Sequence, residues 1–495
     1  MKTMSRLTRR EALALLPASA FAAALPSLAP YGAVPSARQL AWHDLELYAF
    51  LHFGMNTLTN SEWGYGDEDP NLFNPAAFDA DAIAEVLAAA GMKAIILTCK
   101  HHDGFCLWPT KTTTHSVTRS KWRGGQGDVV RDLADAARRR AMKFGIYLSP
   151  WDRSAANYGS PAYVEMYRQQ LRELLTNYGA IGEVWHDGAN GGDGFYGGAR
   201  EKRTIDKSTY YDWPRTWDLI RSLQPDACIF SDVGPDLRWV GNERGIADET
   251  CWATYDPVGE NGGPASPGDV NAKLSGTGTP HGTRWLPAEC DVSIRPGWFW
   301  HPEETPRVKT AAQLMELYYR SVGRGAAFLL NVPPDRRGSL DPADAAALSR
   351  FGGLLRQTFR VDRAAGCKVV ASNVRGKNKA FRPENMIEGA ASRYWSTDDE
   401  ALKPEAVFEW KRPETFNIIR VREFIQLGQR VEEFGVDVFE NGDWREVARA
   451  TTIGPCRILR LPAKVTTTKV RLRIVKSPAP PAVCEFALYL DEPVG

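Results

Sequence analysis

The chain reads as an α/β protein, a (β/α)8 TIM-like barrel followed by an all-β sandwich. Three observations predict this. From about residue 38 to 360, short apolar runs alternate with amphipathic helical patterns, the signature of βα units. His, Asp and Glu crowd the ends of those runs, where a parallel barrel keeps its reactive groups. From about residue 361 the helical period gives way to short strand-like runs with turn signals such as Asn441-Gly442. A length of 495 residues suits two domains. A doubly wound sheet would place Gly-x-Gly-x-x-Gly after its first strand, and none stands there.

Residues 1–37 read as an export signal rather than fold. Thr8-Arg9-Arg10 precedes an apolar stretch over 12–28 that Pro17 and Pro26 interrupt, and small residues follow at Ala33 and Ala37. The Arg pair suggests the twin-arginine route. The expected location is therefore periplasmic or secreted in a bacterium, with no membrane anchor after signal removal.

The barrel, 38–360, opens with a strand over 47–54 that ends on His52. A helix over 78–90 carries Phe78, Ile83, Val86 and Leu87 at helical spacing and stops at Gly91. Strand 94–98 leads into Lys100-His101-His102-Asp103-Gly104-Phe105, and helix 129–142 precedes strand 143–148. Helix 162–178 leads to the strand that carries Asp187. After a Gly-rich insertion come helix 213–223, strand 227–230 and a loop over 234–243. The Gly- and Pro-rich tract 256–282 reads as a long active-site loop, and 285–298 as a turn. Helix 311–322, strand 326–331 and helix 341–355 complete the pattern. In the sandwich, 361–495, strands are expected at 368–371, 406–410, 417–423, 433–439, 467–474 and 482–489.

A net charge of +1 argues against an electrostatic nucleic-acid binder and gives no reason to expect an acidic substrate. Sixteen Trp residues suit packing on the C–H faces of sugars, although most Trp serve cores. Eight cysteines contain no Cys-x-x-Cys pair, so a zinc knuckle is unsupported.

No Gly-x-Ser-x-Gly or hydrolase-ordered Ser, Asp and His supports acyl chemistry. Adjacent His101 and His102 on an extended chain point to opposite sides, and no His-x-His, His-x-x-x-His or Glu-x-x-His pattern supports them as metal ligands. Neutral histidines bonding substrate hydroxyls are preferred, and no metal or cofactor is expected. Glycosidic cleavage needs two carboxyls flanking one bond, and Asp187 with Glu243, or Asp187 with Glu289, could supply them. A non-catalytic sugar-binding barrel is the rival reading.

With these motifs assembled, the chain resembles the retaining α-L-fucosidases of glycoside hydrolase family 29. The resemblance rests on His52-Phe53-Gly54-Met55-Asn56-Thr57, Ser61-Glu62-Trp63-Gly64, Lys100 to Phe105 and Tyr147-Leu148-Ser149-Pro150-Trp151. Glu183-Val184-Trp185-His186-Asp187-Gly188-Ala189-Asn190-Gly191 and Leu329-Leu330-Asn331-Val332-Pro333-Pro334-Asp335 extend it across the barrel. It implies a barrel followed by a sandwich, and Asp187 as nucleophile. His52, Glu62, His101, His102, Tyr147 and Trp185 are implied to grip fucose, Trp298 to face its methyl group and Arg295 to partner the carboxylates. The loop 234–243 is similar to that of the subgroup selective for α-1,3 and α-1,4 linkages, which implies Glu243 as acid/base, with Glu289 in reserve. His186 departs from the family, where Phe more often precedes the Asp. The tail, with Pro383-Glu384-Asn385 and Tyr394-Trp395-Ser396-Thr397, is similar to galactose-binding-like, discoidin-type sandwiches, with Trp395 read as core. The implied substrate is a fucosylated oligosaccharide or glycoconjugate, and the two carboxyls are expected about 5–5.5 Å apart.

Overall fold

A computed structural model describes residues 28–389 and 392–491. Most of the stretch read as an export signal lies outside the described residues. Its last part belongs to the fold: Leu28 is buried, the Tyr31 amide donates to Leu427 O, and Ser36 caps a helix over Ala37–His43.

Eight parallel strands form the barrel: β1 Leu47–Leu51, β2 Ala94–Lys100, β3 Lys143–Leu148, β4 Glu183–Trp185, β5 Cys228–Phe230, β6 Arg238–Trp239, β7 Ala288–Ser293 and β8 Ala327–Asn331. Their spatial order is β5-β4-β3-β2-β1-β8-β7-β6, and a parallel bridge from Phe230 to Leu237 brings β6 back to β5. Such strands are covered on both faces, which explains runs like Ala-Ile-Ile-Leu-Thr in β2 with every residue buried. Full-length helices follow six strands: Ala80–Ala89, Val129–Arg139, Pro161–Asn177, Trp213–Leu223, Ala311–Arg320 and Pro342–Thr358. Asp79, Asp128, Thr310 and Asp341 each accept a backbone N–H at the start of one of them, so the caps fix where those helices begin.

Two units are irregular. β5 passes directly to β6 through residues 231–237. A long excursion with one short helix, Ala272–Thr277, joins β6 to β7. Both β6 and β7 lie where the sequence reads loop and turn. In β7 the polar Glu289, Asp291 and Ser293 alternate with Cys290 and Val292, and all are buried. Their polar side chains find partners inside the barrel, so a half-polar run forms a buried strand. The Gly-rich insertion likewise holds a small hairpin, Gly192–Gly194 with Glu201–Arg203.

The C-terminal sheet is antiparallel, with strands β9 Lys368–Ala371, β10 Glu405–Glu423, β11 Glu433–Glu440, β12 Asp443–Ala450, β13 Arg457–Lys476 and β14 Val483–Tyr489. The two expected strands at 406–410 and 417–423 are one long strand whose register shifts against β13 and whose second half also pairs with β14. Trp395 is fully buried and donates to Asn373 O, which places it in the core of this domain. The domains meet through Arg422–Glu46 at 2.6 Å and the Ala253 amide on Gln429 Oε1 at 2.8 Å. Among the described residues no helix is long and apolar enough to cross a membrane.

Candidate active site

The carboxyl ends of the strands surround a cavity of about 410 Å³. Phe50 and Trp185 line its apolar part, and the remaining wall comes from the residues just past each strand. Trp185 has two jobs. One face borders the cavity, while its Nε1 donates to Glu289 Oε1 at 2.7 Å on the barrel-floor side.

Asp187 stands two residues beyond β4. Tyr147 OH donates to its Oδ2 at 2.9 Å and the Ala189 amide donates to its Oδ1 at 2.7 Å. Both bonds fix the orientation of the carboxylate. The next residue must be small: a Cβ on Gly188 would meet Asp232 Oδ2 at 2.4 Å.

Three histidines face the same cavity. Their hydrogen bonds decide which ring atom each offers. Asn331 Nδ2 donates to Ser293 Oγ and Trp298 O, so its Oδ1 accepts from the amide and Nδ1 of His52. His52 therefore presents a bare Nε2. Asn56 Oδ1 accepts from the Gly64 amide, so its Nδ2 donates to His101 Nδ1 at 3.3 Å, and His101 presents an Nε2–H. Ser149 Oγ donates to Trp151 O and so accepts from His102 Nδ1, leaving a second bare Nε2, 3.9 Å from Asp187 Oδ2. The set offers two acceptors and one donor, a pattern that fits vicinal hydroxyls. Burial lowers His52 to about 3, even though Asn331 and Asp187 pull upward. Burial lowers His102 to about 4 despite Asp187, and His101 lies well below the usual range, with its two histidine neighbours adding to burial. All three are neutral at neutral pH. The expectation that His101 and His102 point to opposite sides is corrected: the chain turns straight after β2, and both rings reach the cavity, 4.1 Å apart.

Glu243 lies four residues past β6, at the rim. Its Oε2 accepts from Trp298 Nε1 at 3.3 Å. Crowding by the cavity wall raises its pKa, the Trp298 bond opposes this, and Asp187 and Glu62 add to the rise. Its outer side is open to water. Trp298 is half-buried beside the His52 ring.

Several expected residues lie elsewhere. Glu62 does not line the cavity; it accepts from the Trp298 and Phe299 amides and from His301 Nε2 at 2.6 Å, and so braces the Trp298 loop. Tyr147 lies beneath the lining and reaches the site through Asp187. Arg295 is fully buried against Asp344 and Asp341, away from Asp187 and Glu243, because its side chain anchors the loop after β7 to the helix after β8. Glu289 has no cavity exposure: Tyr48 OH and Trp185 Nε1 donate to it in the barrel interior, which removes it as the reserve acid. His186 points outward to Tyr167 OH at 2.8 Å and Trp213, and so adds nothing to the pocket.

Other lining residues went unread. Asp291 accepts from Trp239 Nε1 at 2.9 Å, and burial with Glu243 nearby pushes its pKa well up. Asp232 accepts from the Gly268 amide, and burial raises it to about 6. Trp63, 54 % exposed, stands at the rim edge-on to His102. Trp63 and Trp239 sat inside motifs already singled out and could have been found there. Asp291 could not, because the strand holding it reads as a turn.

Residues 37–358 match the family model described as alpha-L-fucosidase. The chain belongs to the α-L-fucosidase family. It is a glycoside hydrolase. It is 42% identical over 472 residues, 94% of this chain and 89% of the relative, to alpha-L-fucosidase 1 of Arabidopsis thaliana. A glycoside hydrolase 29 family member from an unknown rumen bacterium superposes with a TM-score of 0.83 at 42% identity, covering 94% of this chain and 79% of that one. A Ruminococcus gnavus GH29 fucosidase in complex with fucose gives a TM-score of 0.84 at 30% identity over 94% and 97% of the two chains.

Proposed function

We propose that the enzyme is an exported, exo-acting fucosidase that removes terminal α-L-fucose, α-1,3- or α-1,4-linked, with net retention. The observation that carries the mechanism is the contrast between two carboxyls on one cavity. Asp187 is held in place by two hydrogen bonds, while Glu243 receives one and is crowded upward. In the first step Asp187 Oδ attacks the anomeric carbon, the bond to the leaving oxygen breaks, and Glu243 gives that oxygen its proton. A fucosyl ester on Asp187 results. In the second step Glu243 takes a proton from water, the water oxygen attacks the anomeric carbon, and the ester bond breaks to restore the Asp187 carboxylate. The three neutral histidines hold the ring hydroxyls, and Trp298 offers an apolar face to the C5 methyl.

The linkage preference is supported by the loop 234–243, which delivers Glu243 to the rim. Export is supported by the Arg pair and apolar stretch near the start of the chain. Time-resolved NMR of the first-formed sugar tests the mechanism. Retention releases α-L-fucose before mutarotation; β-L-fucose as first product would overturn it. Product analysis on oligosaccharides differing only in fucose linkage tests the preference.

A further inference from the structure

Behind the rim, three side chains outside the sugar pocket converge. Glu68, Asp103 and His115 each bring one ligand-type atom to within 4.8 Å of the others. Asp103 is 2% exposed and His115 9%, so the group is largely shut off from bulk water. Their existing bonds orient them without satisfying them. Glu68 Oε2 accepts from the Gly66 amide at 2.9 Å, with Oε1 held at the Tyr65 amide, and Asp103 Oδ2 accepts from the Phe105 amide at 3.0 Å.

His115 supplies the second, independent observation. Its Nε2 is buried with no hydrogen-bond partner. With the proton on the other ring nitrogen, Nε2 presents a lone pair. A neutral imidazole with a free lone pair is the form in which histidine ligates metals. Among the described residues no Lys or Arg forms an ion pair with Glu68 or Asp103. Enclosing the Asp103 carboxyl beside Glu68 without a cation is costly, and a bound cation removes that cost.

We propose that Glu68, Asp103 and His115 bind one divalent transition cation of the Zn²⁺ or Mn²⁺ type. One imidazole and two carboxylates suit these ions; Ca²⁺ and Mg²⁺ prefer oxygen-only sets. The role is structural. Glu68 belongs to the loop after β1 that presents Trp63, and Asp103 directly follows His102 after β2. The ion ties the loop that builds the rim to the loop that supplies two sugar-facing histidines.

The test uses the full-length enzyme, dialysed against a strong chelator, incubated with ZnCl₂ or MnCl₂, desalted and analysed for metal by mass spectrometry. The expected result is about one ion per chain with at least one of the two metals, and a melting midpoint several degrees higher than in the stripped protein. His115→Gln and Glu68→Gln are each expected to lose about nine-tenths of that loading while still hydrolysing an aryl fucoside. Glu68→Gln, at a less buried position, serves if His115→Gln does not fold. Loading of the wild type below about a tenth of an ion with both metals overturns the proposal, as does equal loading of wild type and the folded variants.

Discussion

The barrel carries two pairs of carboxyls, one at its mouth and one at its floor, and the contrast between them shows how position sets an acid's surroundings. Glu183 opens β4, and Asp187 stands four residues further on, about 13 Å at ~3.3 Å per residue. Glu183 and Glu289 face each other in the closed interior, with Trp42, Tyr48 and Trp185 donating to them. Burial raises both; the Glu289 charge adds to the rise at Glu183, whereas hydrogen bonds, from Glu183 first and then Tyr48 and Trp185, oppose it at Glu289, so the pair holds a proton and braces the floor. Asp187 and Glu243 border a sugar-sized cavity. Both places hold acidic side chains. Height along the strand separates the two pairs.

The largest effect that would break this contrast comes from Asp187→Ala. A loss on the order of 10⁴-fold or more in kcat on aryl fucosides is expected, with an unchanged melting midpoint. Turnover near wild type would mean that the mouth pair is not the catalytic one. Glu243→Ala comes next. A loss of ~10²–10⁴-fold is expected on oligosaccharides and less on activated aryl fucosides, with external azide restoring part of the rate as fucosyl azide. The alkaline limb of kcat/KM in the wild type should lie above the ordinary carboxylate range, because the proton on Glu243 is needed and its pKa is raised.

The floor pair answers differently. Glu289→Gln keeps donor and acceptor capacity beside Glu183 and should leave kcat/KM within about threefold. Glu289→Ala strands Tyr48, Trp185 and Glu183 and should cost about 1–3 kcal/mol of stability. Azide rescue appearing in a Glu289 variant and not in Glu243→Ala would reverse the assignment of the two pairs.

Much of the mouth was legible in the sequence because apolar strands end abruptly in polar residues there. His52, His101, His102 and Asp187 follow such endings, Glu243 was read from the resemblance of its loop, and the structure brings all five to one cavity. Trp185 was legible as a strand residue beside Asp187, though not its second contact with Glu289. β6 and β7 were hidden for one physical reason: acids that are satisfied only by partners distant in sequence look solvent-exposed when read locally. Glu289 and Arg295 were misplaced for the same cause. Each is a charged side chain whose partners, Trp185 or Asp344, lie 104 and 49 positions away.

His186 gives the smallest and sharpest test, because it neighbours Asp187 in sequence and faces away from the cavity. Its Nδ1 meets Tyr167 OH, and that hydroxyl also donates to Leu148 O at 3.0 Å, so Tyr167 stays satisfied if the imidazole is removed. Nε2 is buried without a partner, and burial lowers the pKa from 6.5 to about 3. Between those values the unfolded chain binds a proton that the folded protein refuses. This contribution to stability is therefore intact above about pH 6.5 and is lost progressively as pH falls toward 3. His186→Phe cannot titrate. The variant should match wild-type stability within about 1 kcal/mol at pH 7.5 and exceed it by up to ~2–3 kcal/mol at pH 4.5, with kcat/KM within about twofold at neutral pH. A variant that lost activity at neutral pH while keeping its melting midpoint would show that the outward face of β4 does reach the mouth.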